Sequence, residues 1–246
     1  MGKIFFSCLC CIFFCAGMTM ASDQNFVTDK IKIAQGDLAI TFLGHASLMM
    51  SYEGKIIHID PVSQYADYSN LSKADLILVT HEHQDHLDLK AIDAIKTGKT
   101  ALVITEMIAK QVGGGIVLRN GDKKTIQGFQ IEAVPAYNLV NMRSPGVPYH
   151  AKGVGNGYII ICGGKRIYIA GDTENTPEMK SLKNIDIAFL PMNLPYTMTP
   201  EMVADAARAF HPKILYPCHY GNTNTSKLLD LLQNEKNIEV RIRKMM

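Results

Sequence analysis

Basic runs, long hydrophobic stretches and cysteines fit for pairing are all scarce in this chain, and each shortage removes a class of function. There is no basic run, and the aromatics are not interleaved with Lys or Arg, so the footprint of a nucleic-acid binder is missing. The one extended apolar stretch, Ile4–Cys15, has twelve residues including a serine, too few for a comfortable membrane span. No Pro/Ser-rich linker, charge block or low-complexity run breaks the 246 residues. A Gly-x-Ser-x-Gly elbow is also absent, so nothing points to a serine nucleophile.

The apolar stretch has a different use. Lys3 precedes it, and Thr19-Met20-Ala21 follows with small side chains where a signal peptidase cuts. Residues 1–21 therefore read as a secretory signal peptide and residues 22–246 as one domain, exported to the periplasm or beyond. Acylation of Cys15 is the competing reading, and Phe14 before it argues against a lipoprotein, because a small residue is wanted there. Removing Lys3 leaves 24 basic residues against 23 acidic ones, a nearly neutral body suited to a small-molecule substrate. Four of the six cysteines leave with the signal, and Cys162 and Cys218 do not make a disulfide framework in a chain this size.

Strand patterns dominate the first half, at Ile31–Ala34, Leu38–Leu43, Leu48–Tyr52, Lys55–Ile59 and the apolar Asp75–Thr80. Helices are expected near Leu89–Lys96 and Glu106–Val112, with Ala101–Ile104 a strand between them. Ile116–Arg119, Lys124–Ile126 and Phe129–Val134 read as a meander, and Gly157–Ile161 with Arg166–Ala170 as a hairpin. Then come strands at Ile185–Leu190, Lys213–Pro217 and Ile238–Ile242, and a helix at Ser226–Leu232. The clearest helix runs from Thr199 as N-cap through Pro200 to Phe210, with apolar residues at 202, 203, 206, 207 and 210, and His211-Pro212 stops it.

The most informative segment is Thr80-His81-Glu82-His83-Gln84-Asp85-His86, directly after the apolar strand. Imidazoles and carboxylates are the donors of catalytic zinc-like sites. Residues two apart on an extended backbone share a face, so His81 and His83 can grip one ion. Asp85 and His86, in the following turn, can face a second.

Three further segments fall in order behind it. Ile167-Tyr168-Ile169-Ala170-Gly171-Asp172-Thr173 is a strand ending in a Gly-Asp-Thr turn, and Ile214-Leu215-Tyr216-Pro217-Cys218-His219 is a strand ending in histidine. Leu43-Gly44-His45-Ala46-Ser47 and Ile57-His58-Ile59-Asp60-Pro61 stand near the start. Together these resemble the metallo-β-lactamase-fold hydrolases, from about Ile31 to the C-terminus. The opening segments resemble the subgroup that contains the L-ascorbate-6-phosphate lactonase.

The resemblance implies an α/β fold of four layers, an αββα sandwich, with the motif loops converging at one end of the strands. It also implies two divalent metal ions, Zn2+ in first place with Mn2+ or Fe2+ fitting similar ligands. His81 and His83 would hold the first ion; Asp85, His86 and His219 the second; Asp172 would bridge both. The third ligand of the first ion departs from the simplest family pattern. Asn138, after Val134-Pro135-Ala136-Tyr137, stands where some relatives carry a histidine, and His150 is the favoured alternative.

Around this set, His45 and Tyr196 are candidate substrate contacts, Asp85 a candidate proton acceptor, and Asp60 a candidate orienter of a ligand histidine. Lys152 could meet an anionic substrate group, although a solvated loop lysine is the plainer reading. His58, mid-strand, and His211, at a helix end, read as structural, and Cys218 as a buried inert thiol. The implied chemistry is attack by a hydroxide shared between two cations on an ester, lactone or phosphodiester. A phospholipase D-type phosphodiesterase and a metal-binding sensor or scaffold without activity are the alternatives. A homo-oligomer stays open.

Overall fold

The computed structural model describes residues 25–34 and 36–245, so the signal-peptide reading lies outside the described residues. Two seven-stranded sheets carry the architecture. The first runs in order β1 (Thr28–Ile33), β2 (Gly36–Gly44), β3 (Ser47–Tyr52), β4 (Lys55–Ile59), β5 (Leu76–Leu78), β6 (Ala101–Ile104) and β7 (Ile116–Val117). Neighbours from β1 to β4 are antiparallel, and from β4 to β7 parallel. The second sheet repeats that plan. Its strands β8 (Lys123–Ile126), β9 (Phe129–Ala136), β12 (Gly155–Cys162) and β13 (Lys165–Ile169) pair antiparallel. After them β14 (Ile187–Pro191), β15 (Ile214–Cys218) and β16 (Glu239–Val240) continue parallel.

Side-chain alternation decides what each face meets. On β2, Leu38, Ile40 and Phe42 enter the cluster shared by the two sheets; on β5, Leu76 and Leu78 do the same. The intervening Ile77 joins Val79 in a second cluster with Ile92 and Ile95 of α1 (Leu89–Ile95) and Ile108 of α2 (Glu106–Val112). A strand covered on both faces must be apolar throughout, which is why this segment shows no alternation. Helix α4 (Pro200–Phe210) packs Val203, Ala207 and Phe210 into the larger cluster, with Thr199 capping the amide of Met202 and His211 closing the helix at φ 49. α3 (Pro177–Lys180) and α5 (Ser226–Leu232) lie beside it.

The structure corrects three expectations. Only part of the meander forms: β8 and β9 pair antiparallel as expected, but Ile116–Val117 pairs parallel with β6 in the first sheet, and the chain then crosses to start the second with β8. The long loop after Tyr137 contains a small hairpin, β10 (Met142–Ser144) and β11 (Val147–Pro148), and α3 was not anticipated. The last strand is two residues long rather than five. Strand pattern reveals that a segment is extended; which free sheet edge it joins is a long-range matter.

Contacts between the sheets bring their loops together. Asn156 N donates to Thr80 O at 2.9 Å, and Tyr158 Oη donates to Val79 O at 3.0 Å, so the start of β12 grips the end of β5. His219 N donates to His45 O at 2.9 Å. Gly171 has φ 64, and a Cβ there would sit 2.9 Å from Asn156 O, so only glycine permits this close approach before Asp172.

Candidate metal centre

Six of the eight histidines converge at one end of the sandwich. They arrive from different strand exits: His45 from β2, His81, His83 and His86 from β5, His150 from the hairpin loop, His219 from β15. Three residues turn there in left-handed backbone, His45 (φ 54), Asp60 (φ 43) and His219 (φ 47). Such conformations cost on the order of 1 kcal/mol or more for side-chain-bearing residues and persist where surrounding structure enforces them.

Donor atoms fall into groups. His81 Nε2 lies 3.1 Å from His83 Nδ1, which lies 3.2 Å from His150 Nε2. A second group gathers His45, Asp85, His86 and His219: Asp85 Oδ2 is 3.2 Å from His45 Nε2 and 3.4 Å from His219 Nε2. Asp172 stands between. Its Oδ2 is 3.4 Å from His150 Nε2, 3.3 Å from His219 Nε2 and 4.0 Å from His81 Nε2, and its Oδ1 is 3.3 Å from His86 Nε2.

The rings are held from behind. Asp60, fully buried, accepts from His86 Nδ1 at 2.7 Å, from Thr80 N at 2.7 Å and from Thr80 Oγ1 at 2.7 Å. Thr80 Oγ1 in turn lies 3.1 Å from His81 Nδ1, so one carboxylate orients two histidines. Asn138 Oδ1 accepts from both His150 N and His150 Nδ1 at 2.8 Å. With Nδ1 protonated in this way, Nε2 of His150 presents a lone pair to the cluster. Asn138 itself is kept in place by Glu174, a buried carboxylate that also accepts the amides of Leu139, Val140 and Asn141. Asn138 thus spends its Oδ1 on His150 and its Nδ2 on Glu174 and Tyr196 O, and stands behind the His150 ring.

Electrostatics follow from this crowding. Burial, then the neighbouring His86, pushes His81 well below the usual imidazole range. Burial, aided by His83 and opposed by Asp172, lowers His150 to about 4. Burial also works against charge on His86 and His219, yet Asp172 with Asp60 holds His86 well above its usual value, and Asp172 with Asp85 lifts His219 to about 9. Asp172 therefore favours positive charge on its His86 and His219 side, while burial keeps His81 and His150 neutral on the other. Among the described residues, His86 Nε2, His219 Nε2 and Asp172 Oδ1 are buried and make no well-aligned hydrogen bond, although each histidine nitrogen faces an Asp172 oxygen at 3.3 Å. Buried polar atoms left unpaired cost about 1–3 kcal/mol each, and nitrogen and carboxylate oxygen are what zinc-like ions coordinate. The residues present fit divalent metal.

Comparison with known proteins agrees. The family model described as a β-lactamase superfamily domain matches residues 39–219. A UPF0173 metal-dependent hydrolase of Pelotomaculum thermopropionicum is 31% identical over 205 residues, covering 78% of this chain and 87% of the relative. One of Methanopyrus kandleri is 30% identical over 195 residues, covering 75% and 84%. This chain belongs to the UPF0173 family of metal-dependent hydrolases. A crystal structure of a Parabacteroides distasonis protein assigned as a metal-dependent hydrolase superposes with a TM-score of 0.86 at 52% identity, covering 90% of this chain and 100% of that one. Igni18, a metallo hydrolase of Ignicoccus hospitalis, shares the fold with a TM-score of 0.69 at 24% identity, covering 84% and 95%.

Within this UPF0173 hydrolase the remaining expected residues have these places. His45 stacks on Tyr65 at 5.0 Å and lies 3.8 Å, ring to ring, from His219. Tyr196 lines the cleft, edge-on to Tyr149 at 5.1 Å, and its hydroxyl makes no hydrogen bond to the cluster. Lys152 is turned aside, donating to Glu178 at 2.8 Å and covering the Tyr137 ring. His58 is buried and bonds Ser72 O, and burial pushes the Cys218 thiol up. Sequence reading missed Glu174, Tyr65, Tyr149, Arg143 and Asn193. Glu174 directly follows the Gly-Asp-Thr turn, the one signal that was available. No helix among the described residues is long and apolar enough to cross a membrane.

Proposed function

We propose that this hydrolase uses two divalent ions, Zn2+ in first place, to cleave an ester or lactone of a small molecule with water. The observation that carries this is the convergence of two histidine groups on Asp172, where His86 Nε2, His219 Nε2 and Asp172 Oδ1 are buried without a well-aligned hydrogen bond. His81, His83 and His150 would hold one ion, Asp85, His86 and His219 the other, with Asp172 between them. When bound, such ions supply Lewis acidity and lower the pKa of water from about 15.7 toward 7.

The chain's own residues do the rest. Asp60 and Asn138 keep the imidazole lone pairs aimed inward, fixing the positions on which rate depends. Asp85 Oδ2, within reach of His45 Nε2 and His219 Nε2, is the acceptor for the proton leaving water. Its side chain is 42% exposed, so solvent can carry that proton away. Tyr196 and Asn193 line the cleft where the scissile group lies.

The lactonase-like reading is supported by where its motif segments end: His45 beside Asp85, and Asp60 behind His86. A panel of aryl esters, lactones and phosphodiesters, run on protein of measured metal content, tests it. Turnover of esters or lactones with two ions per chain is expected, and lost in Asp172→Ala. A fully loaded protein that cleaves none of them refutes the proposal, and phosphodiester cleavage alone moves it to the phospholipase D-type alternative. Export is proposed from Lys3, Ile4–Cys15 and Thr19-Met20-Ala21; a mature N-terminus at Ser22 is the expected sequencing result.

A further inference from the structure

The cleft in front of the cluster has two lobes. One, about 470 Å³, is bordered by His45, Asp85, Asn193, Tyr196 and His219. The other, about 290 Å³, runs past His83 and His150 to Met107, Val147 and Val154. Arg143 and Tyr149 border both. Arg143 is the sole Lys or Arg on either lining.

Among the described residues Arg143 has no carboxylate partner, although most arginines here have one: Arg119 with Glu106, Arg166 with Glu132, Arg208 with Glu235 and Arg243 with Asp29. Its guanidinium instead lies 5.7 Å from the centre of the Tyr149 ring, which is braced edge-on by Tyr196. A cation held over an aromatic face keeps its N–H fork free. Arg143 is exposed, and the backbone that carries it is tied to the cluster. Arg143 sits on β10, in the loop that Glu174 and Asn138 anchor at one end and His150 at the other.

The second lobe offers the complement of an apolar body. Met107 is 41% exposed and Val147 50%, uncovered apolar surface inside a concavity. Its one carboxylate away from the cluster, Glu82, has its Oε2 turned into the protein and, among the described residues, forms no ion pair with Arg143.

We propose that the substrate is an anionic, partly apolar molecule. Its carboxylate or phosphate is held by Arg143, its apolar body fills the lobe beside Met107 and Val147, and its scissile group faces Asp172. This rests on the hydrolase reading of the same site and specifies its substrate class.

Three uncleaved probes test it on the zinc-loaded full chain by calorimetry: the mono-anilide of succinic acid with its free carboxylate, the same molecule as the neutral primary amide, and its phosphonate counterpart. The anionic probes should bind at least about tenfold tighter than the neutral one, the size of one charge-assisted hydrogen bond. Arg143→Ala should shrink that ratio to about twofold, and Arg143→Lys should recover part of it. Arg208→Ala, an ion-paired arginine outside the cleft, should keep it. The order of carboxylate and phosphonate identifies which anion the site prefers. An equal anion-to-neutral ratio in wild type and Arg143→Ala overturns the proposal, as does failure of the wild type to discriminate or to bind. Binding through Arg143 without cleavage of any ester would instead sink the hydrolytic reading alone.

Discussion

On the proposed two-ion centre, Asn138→Ala leaves the proposed ligands in place, yet it should selectively weaken one ion. The side chain is buried, and its Oδ1 takes two hydrogen bonds from His150, at N and at Nδ1, both 2.8 Å. Without that acceptor, the ring loses the bond that keeps its proton on Nδ1, and Nε2 no longer reliably presents a lone pair beside His83. Loss of such an orienting partner typically weakens metal binding about 10–100-fold, or roughly 1.4–2.7 kcal/mol. Folding stability should fall as well, by about 2 kcal/mol for stranded buried donors, lowering Tm by about 4–8 °C. The assay is a chelator competition that resolves the two affinities. One ion should weaken by the stated factor while the other, near Asp85, His86 and His219, stays within about twofold. Lys152→Ala, whose amine engages Glu178, should leave both unchanged. Two unaltered affinities in Asn138→Ala would refute the idea that Asn138 orients His150.

Asp60→Asn should behave differently, weakening both ions about 10–100-fold, because Asp60 reaches His86 directly and His81 through Thr80; asparagine tolerates its φ of 43, so a folded protein with native circular dichroism is the expected companion result. Chelation should lower Tm by about 8–16 °C for each ion removed, relative to protein at about 1,000-fold excess of free ion over its Kd, because each occupied site adds about 4 kcal/mol. An unchanged Tm in protein shown metal-free would count against the centre. His58 is depressed to about 4, chiefly by burial and against its bond to Ser72. Its neutral form stabilises the fold fully above about pH 6.5, and that contribution, about 3 kcal/mol, is lost as pH falls toward 4. Denaturant melts of His58→Gln should therefore change less across this window than those of wild type, and identical slopes would exclude the burial argument.

Local chemistry carried a large share of the architecture. Thr199, Pro200 and the apolar positions up to Phe210 define α4 by capping, a proline at the first turn and a 3.6-residue period, all short-range effects. The H-x-H-x-D-H order was informative for a similar reason: one turn at a strand exit places its donors within a few residues of one another. The misplacement of Ile116–Val117 shows the opposite case, since two apolar residues cannot signal which sheet edge lies open to them. The hairpin at Met142–Pro148 is set by its anchored ends, Asn138 on His150 and Glu174 on the loop amides, and that bonding spans up to 36 residues.

By itself, the sequence determined the candidate donor residues and most of the run of strands and helices, because donor type and hydrophobic period are properties of neighbouring residues. Only tertiary structure decided that His150 joins the donors while Asn138 stands behind it, that Asp60 serves two rings, and that Arg143 borders both lobes of the cleft. Those relations join residues far apart in the chain, and they exist only once two sheets close on a shared apolar core.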